Sequence, residues 1–338
     1  MDQALKLPPS LTFIERDWLS SNHLLGRSAA ANVLVDTGYC SRRDMTLRLV
    51  DRALGGAPLH RIVNTHTHSD HVGGNAALKA RYGCRIAIPV QAREAVAQWQ
   101  EDKLHYATLG QMCDRFTADE YFDRGDTLDI GGMPWQALGS PGHDMDSLLL
   151  YQPEHRILLS ADALWEHGFG IVFPEFFDEP GFAAQEATLQ MIEDLEVDVV
   201  VPGHGPMFGD FRQALQRARR KLAYFRSNPE RHALLAMKVG LSFMLLDRGS
   251  ISLGNLETTF GELPLIRRIS RKHFGDETSR ITRDVVKALI EAKAARIADG
   301  WLMPAAQSED ANPTQAARPT DDPRSTEHAT PAEDAGRT

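Results

Sequence analysis

The sequence predicts an α/β protein of helix-covered sheets followed by a mainly helical C-terminal segment. Three observations carry this reading. Short apolar runs alternate with stretches of helical periodicity up to residue 206. The charge balance then changes sign at the turn Pro202-Gly203-His204-Gly205-Pro206. With 42% hydrophobic and 25% charged residues in 338 positions, the chain can bury a sizeable core without covalent staples.

Taken in order, strand character falls at residues 32–36, 61–64, 85–89, 148–151, 157–160 and 197–201. Helical spacing falls between them, at 44–54, 73–82, 92–99 and 182–195. The runs at 148–160 read as a hairpin, and 103–126 is an insert placed to act as a lid. Residues 207–303 read as helices at 210–226, with Arg217, Arg219, Arg220 and Lys221, at the Met-rich stretch 229–246, and at the amphipathic stretch 276–296. A short stretch at 295–301, with Gly300, is placed to form a wing. Residues 304–338 lack any aromatic or large aliphatic side chain, so a disordered tail is expected there.

The net charge of −9 divides into −13 for 1–206, +8 for 207–303 and −4 for 304–338. The division supports a catalytic domain at 1–206 and a basic helical domain at 207–303. Cys40, Cys84 and Cys113 form no Cys-x-x-Cys pair, which points away from a disulfide framework and toward a reducing compartment. No run reaches the roughly 18 apolar residues of a membrane span. The stretch from Met1 to Arg16 mixes charges with Pro8-Pro9, unlike a secretory signal. A cytoplasmic protein without membrane contact is expected; nothing in the sequence specifies an oligomeric state.

Chemistry is concentrated in Thr65-His66-Thr67-His68-Ser69-Asp70-His71-Val72-Gly73-Gly74, directly after the run at 61–64. Extended backbone puts residues two apart on one side, so His66 and His68 can point at one ion. A helix beginning near Asp70 turns Asp70 and His71 toward a second. Imidazole with carboxylate is a borderline-hard N/O donor set suited to Zn(II), Fe(II) or Mn(II). Further ligands are expected at later strand ends, and three positions supply them. His143 lies in Gly139-Ser-Pro-Gly-His143, Asp162 ends the run from Ile157, and His204 lies in Pro202-Gly-His204-Gly. Each enters a Gly- or Pro-containing loop from which a side chain can reach a cleft.

With His-x-His-x-Asp-His followed by His, Asp and His in that order, residues 10–210 resemble the metallo-β-lactamase superfamily of metallohydrolases. The resemblance implies an αββα sandwich. It also implies two divalent ions: His66, His68 and His143 on the first, Asp70, His71 and His204 on the second, and Asp162 bridging them. Asp70 would in addition orient a hydroxide or shuttle a proton. Asp36, in Val35-Asp36-Thr37-Gly38, matches the family's early Asp-x-Gly turn and would support the site, although turn chemistry alone also accounts for an Asp there.

Two such ions about 3.5–4 Å apart lower the pKa of a shared water and supply hydroxide at neutral pH. Neither Gly-x-Ser-x-Gly nor a motif-placed cysteine offers a covalent route. The family's common class B β-lactamases carry a cysteine at the second metal and lack the bridging carboxylate, and its diiron flavoproteins have Glu where His68 stands. The set here is similar instead to glyoxalase II, to its thioesterase and lactonase relatives and to the nuclease branches, without recognisable glutathione-binding positions. The implied activity is dinuclear hydrolysis of an ester, thioester or lactone in a small molecule. The alternative is a single-strand endoribonuclease, and a third reading is a persulfide dioxygenase, which shares nearly the same ligands with one iron.

The order helix, helix, helix, turn in 207–303 resembles the winged-helix-like tail of the lactamase-like endoribonuclease branch. Its positive charge fits RNA through phosphate contacts, or the phosphates of a coenzyme A thioester, or a solvated face against the acidic body. Arg267, Arg268, Arg271 and Lys272 form the densest cluster. Trp165, His167, Phe169 and Phe173 follow Asp162, where they either line a substrate cleft or pack the core. His60, His155 and His232 fit no pattern and are expected at the surface.

Overall fold

Alternating burial along short strands builds the core. The computed structural model describes residues 5–305. One sheet holds β1 (Leu11–Ile14), β2 (His23–Arg27), β3 (Asn32–Val35), β4 (Arg61–Val63), β5 (Arg85–Pro89) and β6 (Glu120–Phe122), in that order. A second holds β7 (Thr127–Ile130), β8 (Met133–Gly139), β9 (Leu148–Gln152), β10 (Ile157–Ala161) and β11 (Val199–Pro202), in the order β11-β10-β9-β8-β7. Val33, Val35, Leu148, Leu150, Ile157, Leu159, Val199 and Val201 point into the space between the sheets and pack around Trp135. Their neighbours Leu34, Leu149, Leu158 and Val200 point outward. Each buried aliphatic side chain contributes about 1.5–3 kcal/mol, and a slip of one residue would exchange the two sets, so the pattern fixes the register.

Both outer faces are therefore apolar and need cover. On the first sheet it comes from α1 (Arg43–Leu54), α2 (Ser69–Val72), α3 (Asn75–Tyr82), α4 (Arg93–Gln98) and α5 (Tyr106–Leu109). On the second it comes from α6 (Gly181–Glu193) and α7 (Phe211–Ser227). The result is the expected αββα sandwich. β7 and β8 are not among the expected strands because Thr127, Asp129, Pro134 and Gln136 point outward and leave no continuous apolar run.

The remaining elements are α8 (Pro229–Arg248), α9 (Pro264–His273), α10 (Thr278–Glu291) and a small antiparallel sheet of β12 (Ile251–Ser252), β14 (Trp301–Pro304) and β13 (Ala295–Ala298). Proline opens α8 and α9, where its missing N–H costs nothing. These elements share one apolar cluster with the outer face of the second sheet, through Met237, Leu241, Phe260, Ile269, Val285 and Leu302. The expected disordered tail lies, from residue 306, outside the described residues. Among the described residues no helix is long and apolar enough to cross a membrane.

Much of the basic segment faces acidic groups. Arg219 and Arg226 of α7 pair with Glu193 and Glu186 of α6 at 2.7 and 3.2 Å. Arg268 and Lys272 share Asp178 at 2.7 and 2.6 Å, and Arg267 pairs with Glu262 at 2.9 Å. Three of the four cations in the densest cluster are thus matched within the fold. His232 corrects an expectation: it is 2% exposed, stacked on Phe176 at 4.8 Å, and its Nε2 accepts the Val172 N–H at 3.2 Å. Sequence pattern missed this because three aromatic rings from distant segments enclose it.

β3, β4 and β5 are parallel, as are β10 and β11, and β8 runs with β10 because each is antiparallel to β9. Their C-terminal ends therefore gather at one rim. There the Leu148 N–H donates to Thr65 O at 2.9 Å and joins the two sheets.

Candidate metal centre

Every residue singled out for metal binding lies at that rim. His68 is still extended (φ −62, ψ 148) and α2 starts at Ser69, so His66 and His68 share a side while Asp70 and His71 turn away from the strand. His143 follows β8, Asp162 follows β10 and His204 follows β11.

Two sets of donor atoms converge. His66 Nε2 lies 3.1 Å from His68 Nδ1, which lies 2.7 Å from His143 Nε2. Beside them, His204 Nε2 lies 3.2 Å from Asp70 Oδ2, and His71 Nε2 lies 4.0 Å from that oxygen. Asp162 divides its carboxylate between the sets. Its Oδ2 is 3.3 Å from His143 Nε2, and its Oδ1 is 3.4 Å from His71 Nε2 and 3.9 Å from His204 Nε2.

The outward ring atoms decide which nitrogens carry lone pairs. His143 Nδ1 donates to Ile171 O at 2.6 Å, and His71 Nδ1 donates to Asp36 Oδ2 at 2.8 Å. The Thr65 hydroxyl spends its proton on Asp36 Oδ2 at 2.8 Å, so it accepts from His66 Nδ1 at 3.1 Å. His68 Nε2 faces Asp144 Oδ2 at 3.5 Å. With those protons outward, the inward nitrogens of His66, His68 and His143 present lone pairs, and that of His71 does so once a cation replaces the proton its carboxylates otherwise hold there. At 2.7 and 3.1 Å the N···N approaches set lone pair against lone pair, and His71 Nε2 is buried without a hydrogen bond, facing Asp162 Oδ1 at 3.4 Å. Such an arrangement fits a cation and nothing weaker.

Electrostatics agree. Burial pulls His68 and His143 down to about 4, against the opposing pull of Asp70 and Asp162 respectively, so both rings are neutral at pH 7. Burial also disfavours charge on Asp162, yet His71, His204 and His143 hold its carboxyl well below the usual range. At His71 burial is outweighed by Asp36, Asp162 and Asp70, which hold its pKa well above the ordinary value. The carboxylates are ionised and demand positive charge between them.

Several supporting residues escaped the sequence reading. Asn22 donates its side-chain N–H to Pro202 O at 3.0 Å and Gly205 O at 2.7 Å, clamping the His204 loop, and the Ser21 N–H donates to Asp70 O at 3.0 Å. Gly170 passes so close to His143 that a Cβ would stand 2.5 Å from Nδ1, and a Cβ on Gly203 would overlap Asp162 Oδ1. Of these, only Gly203 stood beside a recognised motif. Asp36 is fixed by the Thr65 N–H at 2.9 Å as well as by the Thr65 hydroxyl and His71, and it adopts the left-handed region (φ 56) that Asp tolerates better than most residues.

A cavity of about 200 Å³ opens onto these donors. Trp165, His167, Phe169 and Phe173 all line it, and Phe169, 1% exposed, belongs to the core as well. Trp18 and, from α8, Leu235, Val239 and Phe243 line it as well. Leu109 and Gln111 of the 103–126 insert reach the cavity, whereas Glu120–Phe122 of the same insert is strand β6.

Residues 16–204 match the family model described as the metallo-beta-lactamase superfamily. Over 118 residues the chain is 35% identical to a hydroxyacylglutathione hydrolase of Rhodopseudomonas palustris (strain HaA2), a stretch that is 35% of this chain and 39% of that protein. A Beta-lactamase-like protein 2 homolog of Caenorhabditis elegans is 28% identical over 189 residues, 56% of each chain. A solved metallo-beta-lactamase family protein from Thermus thermophilus has a similar fold, with a TM-score of 0.55 at 20% identity over 88% of this chain and 100% of that one.

Proposed function

The chain belongs to the metallo-β-lactamase superfamily, and on that premise we propose that it is a metal-dependent hydrolase of an ester or thioester in a small, largely apolar molecule. One observation carries the dinuclear form of this reading: the Asp162 carboxylate presents one oxygen to His143 and the other to His71 and His204. In this reading His66, His68 and His143 hold one divalent ion, Asp70, His71 and His204 hold a second, and Asp162 spans them, with zinc favoured by the N/O donors. Residues 1–206 carry all these donors, while α7 and α8 of 207–303 close the cavity. The thioester preference is supported by the relative called hydroxyacylglutathione hydrolase.

Bound there, divalent ions supply Lewis acidity that lowers the pKa of a water and polarises a carbonyl. The chain's own residues do the rest. Asp70 accepts the water's proton at Oδ1, the oxygen not engaged by His204, and keeps the attacking oxygen aimed into the cavity. A C–O bond forms, the C–S or ester C–O bond breaks, and Asp70 returns the proton to the leaving thiolate or alkoxide. Trp18, Phe173 and Phe243 exclude bulk water and so strengthen each of these electrostatic interactions.

The test compares generic thioester and ester probes with single-stranded RNA on the metal-loaded protein. Thioester turnover, lost in His68→Ala and Asp162→Asn, with up to two ions per chain by metal analysis, is the expected result. RNA cleavage without ester or thioester turnover, or an active Asp162→Asn protein, overturns the reading.

A further inference from the structure

The cavity holds one cation that the proposed chemistry does not use. Lys221 lies on α7, and its aliphatic end packs over Gly168, where a Cβ would stand 2.9 Å from Nζ. The ammonium donates to Phe169 O at 3.2 Å and sits 5.0 Å from the centre of the Phe169 ring and 5.7 Å from that of Phe225. Lys221 lines the same cavity as His68, Asp70, His143, Asp162 and His204. Among the described residues no carboxylate stands within ion-pair distance of it. Glu166 and His167, which also line the cavity, face one another at 3.6 Å. Burial alone shifts its pKa, down to about 8, so it stays charged at pH 7. Buried His232 is neutral, its pKa pushed down to about 3 by burial and then by Lys221, so it adds no second positive charge.

An ammonium with one carbonyl and two ring faces, inside walls of Trp18, Phe169, Leu235 and Val239, lacks the counter-ion that would offset its desolvation. The loop that carries its carbonyl partner continues through Gly170 against His143, and Ile171 O accepts the His143 Nδ1 proton. The anchor and the metal donors are therefore held at a fixed separation by one short segment. We propose that Lys221 binds a carboxylate on the substrate, so that the molecule hydrolysed is an apolar ester or thioester with a single carboxylate remote from the scissile carbonyl. A monoanion matches the single cation and the small volume, whereas a phosphate would call for more donors. That the bound molecule is a substrate rests on the hydrolase reading; the anion site does not.

The experiment is calorimetric titration of octanoate and of octanamide into the metal-loaded full-length protein and into Lys221→Met and Lys221→Arg. Wild type is expected to bind octanoate at least about tenfold more tightly than octanamide, the strength of a charge-assisted pair over a neutral one. Lys221→Met should remove that difference and leave octanamide unchanged, and Lys221→Arg should retain it. Equal octanoate binding by wild type and Lys221→Met puts the carboxylate on the metals and overturns the proposal. So does loss of both ligands in Lys221→Met, which marks a packing role. Failure of every ester and thioester probe would dismiss the hydrolase reading while leaving these affinities to decide the anion site.

Discussion

Replacing Asp36 by Asn tests how the second set of donors is held. The amide keeps the shape of the carboxylate and tolerates the left-handed backbone at φ 56, so conformational strain contributes little. One oxygen still accepts the Thr65 N–H at 2.9 Å. The other position becomes an NH2 group facing the Thr65 hydroxyl and His71 Nδ1, each 2.8 Å away and each a donor to the native carboxylate. His71 can accept from this amide only by moving its proton to Nε2, the atom that must offer a lone pair to the ion. Loss of such an orienting partner costs about 10–100-fold in metal affinity, or about 1.4–2.7 kcal/mol. Competitive zinc titration of chelator-stripped protein measures it. Asp36→Asn should weaken one of two affinities by that factor and the other, assigned to His66, His68 and His143 and touched only through the Thr65 hydroxyl, by distinctly less. Two unaltered affinities, or equal weakening of both, would refute the argument from the ring tautomer.

Chelation should lower the melting temperature, because each ion stabilises the folded chain by about 2.7 kcal/mol at a free concentration 100 times its Kd; a melt insensitive to chelator contradicts a metal centre. Gly203→Ala should cost about 1–3 kcal/mol in a denaturant melt and at least about 100-fold in kcat, since its Cβ displaces Asp162 while Gly203 N and O remain tied to Ala161 and Asn22. A variant with native kcat would show that the Asp162 position is not critical. For Lys221 the folded pKa of about 8 lies below that of a free lysine, so the unfolded chain binds this proton more tightly and stability rises with pH between about 8 and 10. Lys221→Met lacks that titration. It should be more stable than wild type below pH 8, with the gap closing toward pH 10, and a gap independent of pH in thermal melts speaks against a partly buried ammonium without a counter-ion.

The family and the candidate donor residues were legible before any coordinates because both depend on local chemistry. Histidines two apart on an extended run share a side, and a helix start redirects Asp70 and His71, whatever the rest of the chain does. Likewise the short apolar runs at 148–151, 157–160 and 197–201 read as buried strands of an α/β sandwich, whereas β7 and β8, wet on one face, blended into loop. The tertiary structure decided everything that depends on which distant segments meet. It paired Asp36 with Thr65 and His71, aimed the His143 ring with the carbonyl of Ile171, and clamped the His204 loop with Asn22, contacts up to 183 positions apart in sequence. It buried His232 under aromatic rings and matched Arg268 and Lys272 to Asp178. It also set Lys221, one of several cations in a basic helix, at the cavity that the candidate metal donors line. A residue's type announces what it can bind or donate; its desolvation and its partners exist only once remote parts of the chain have packed together.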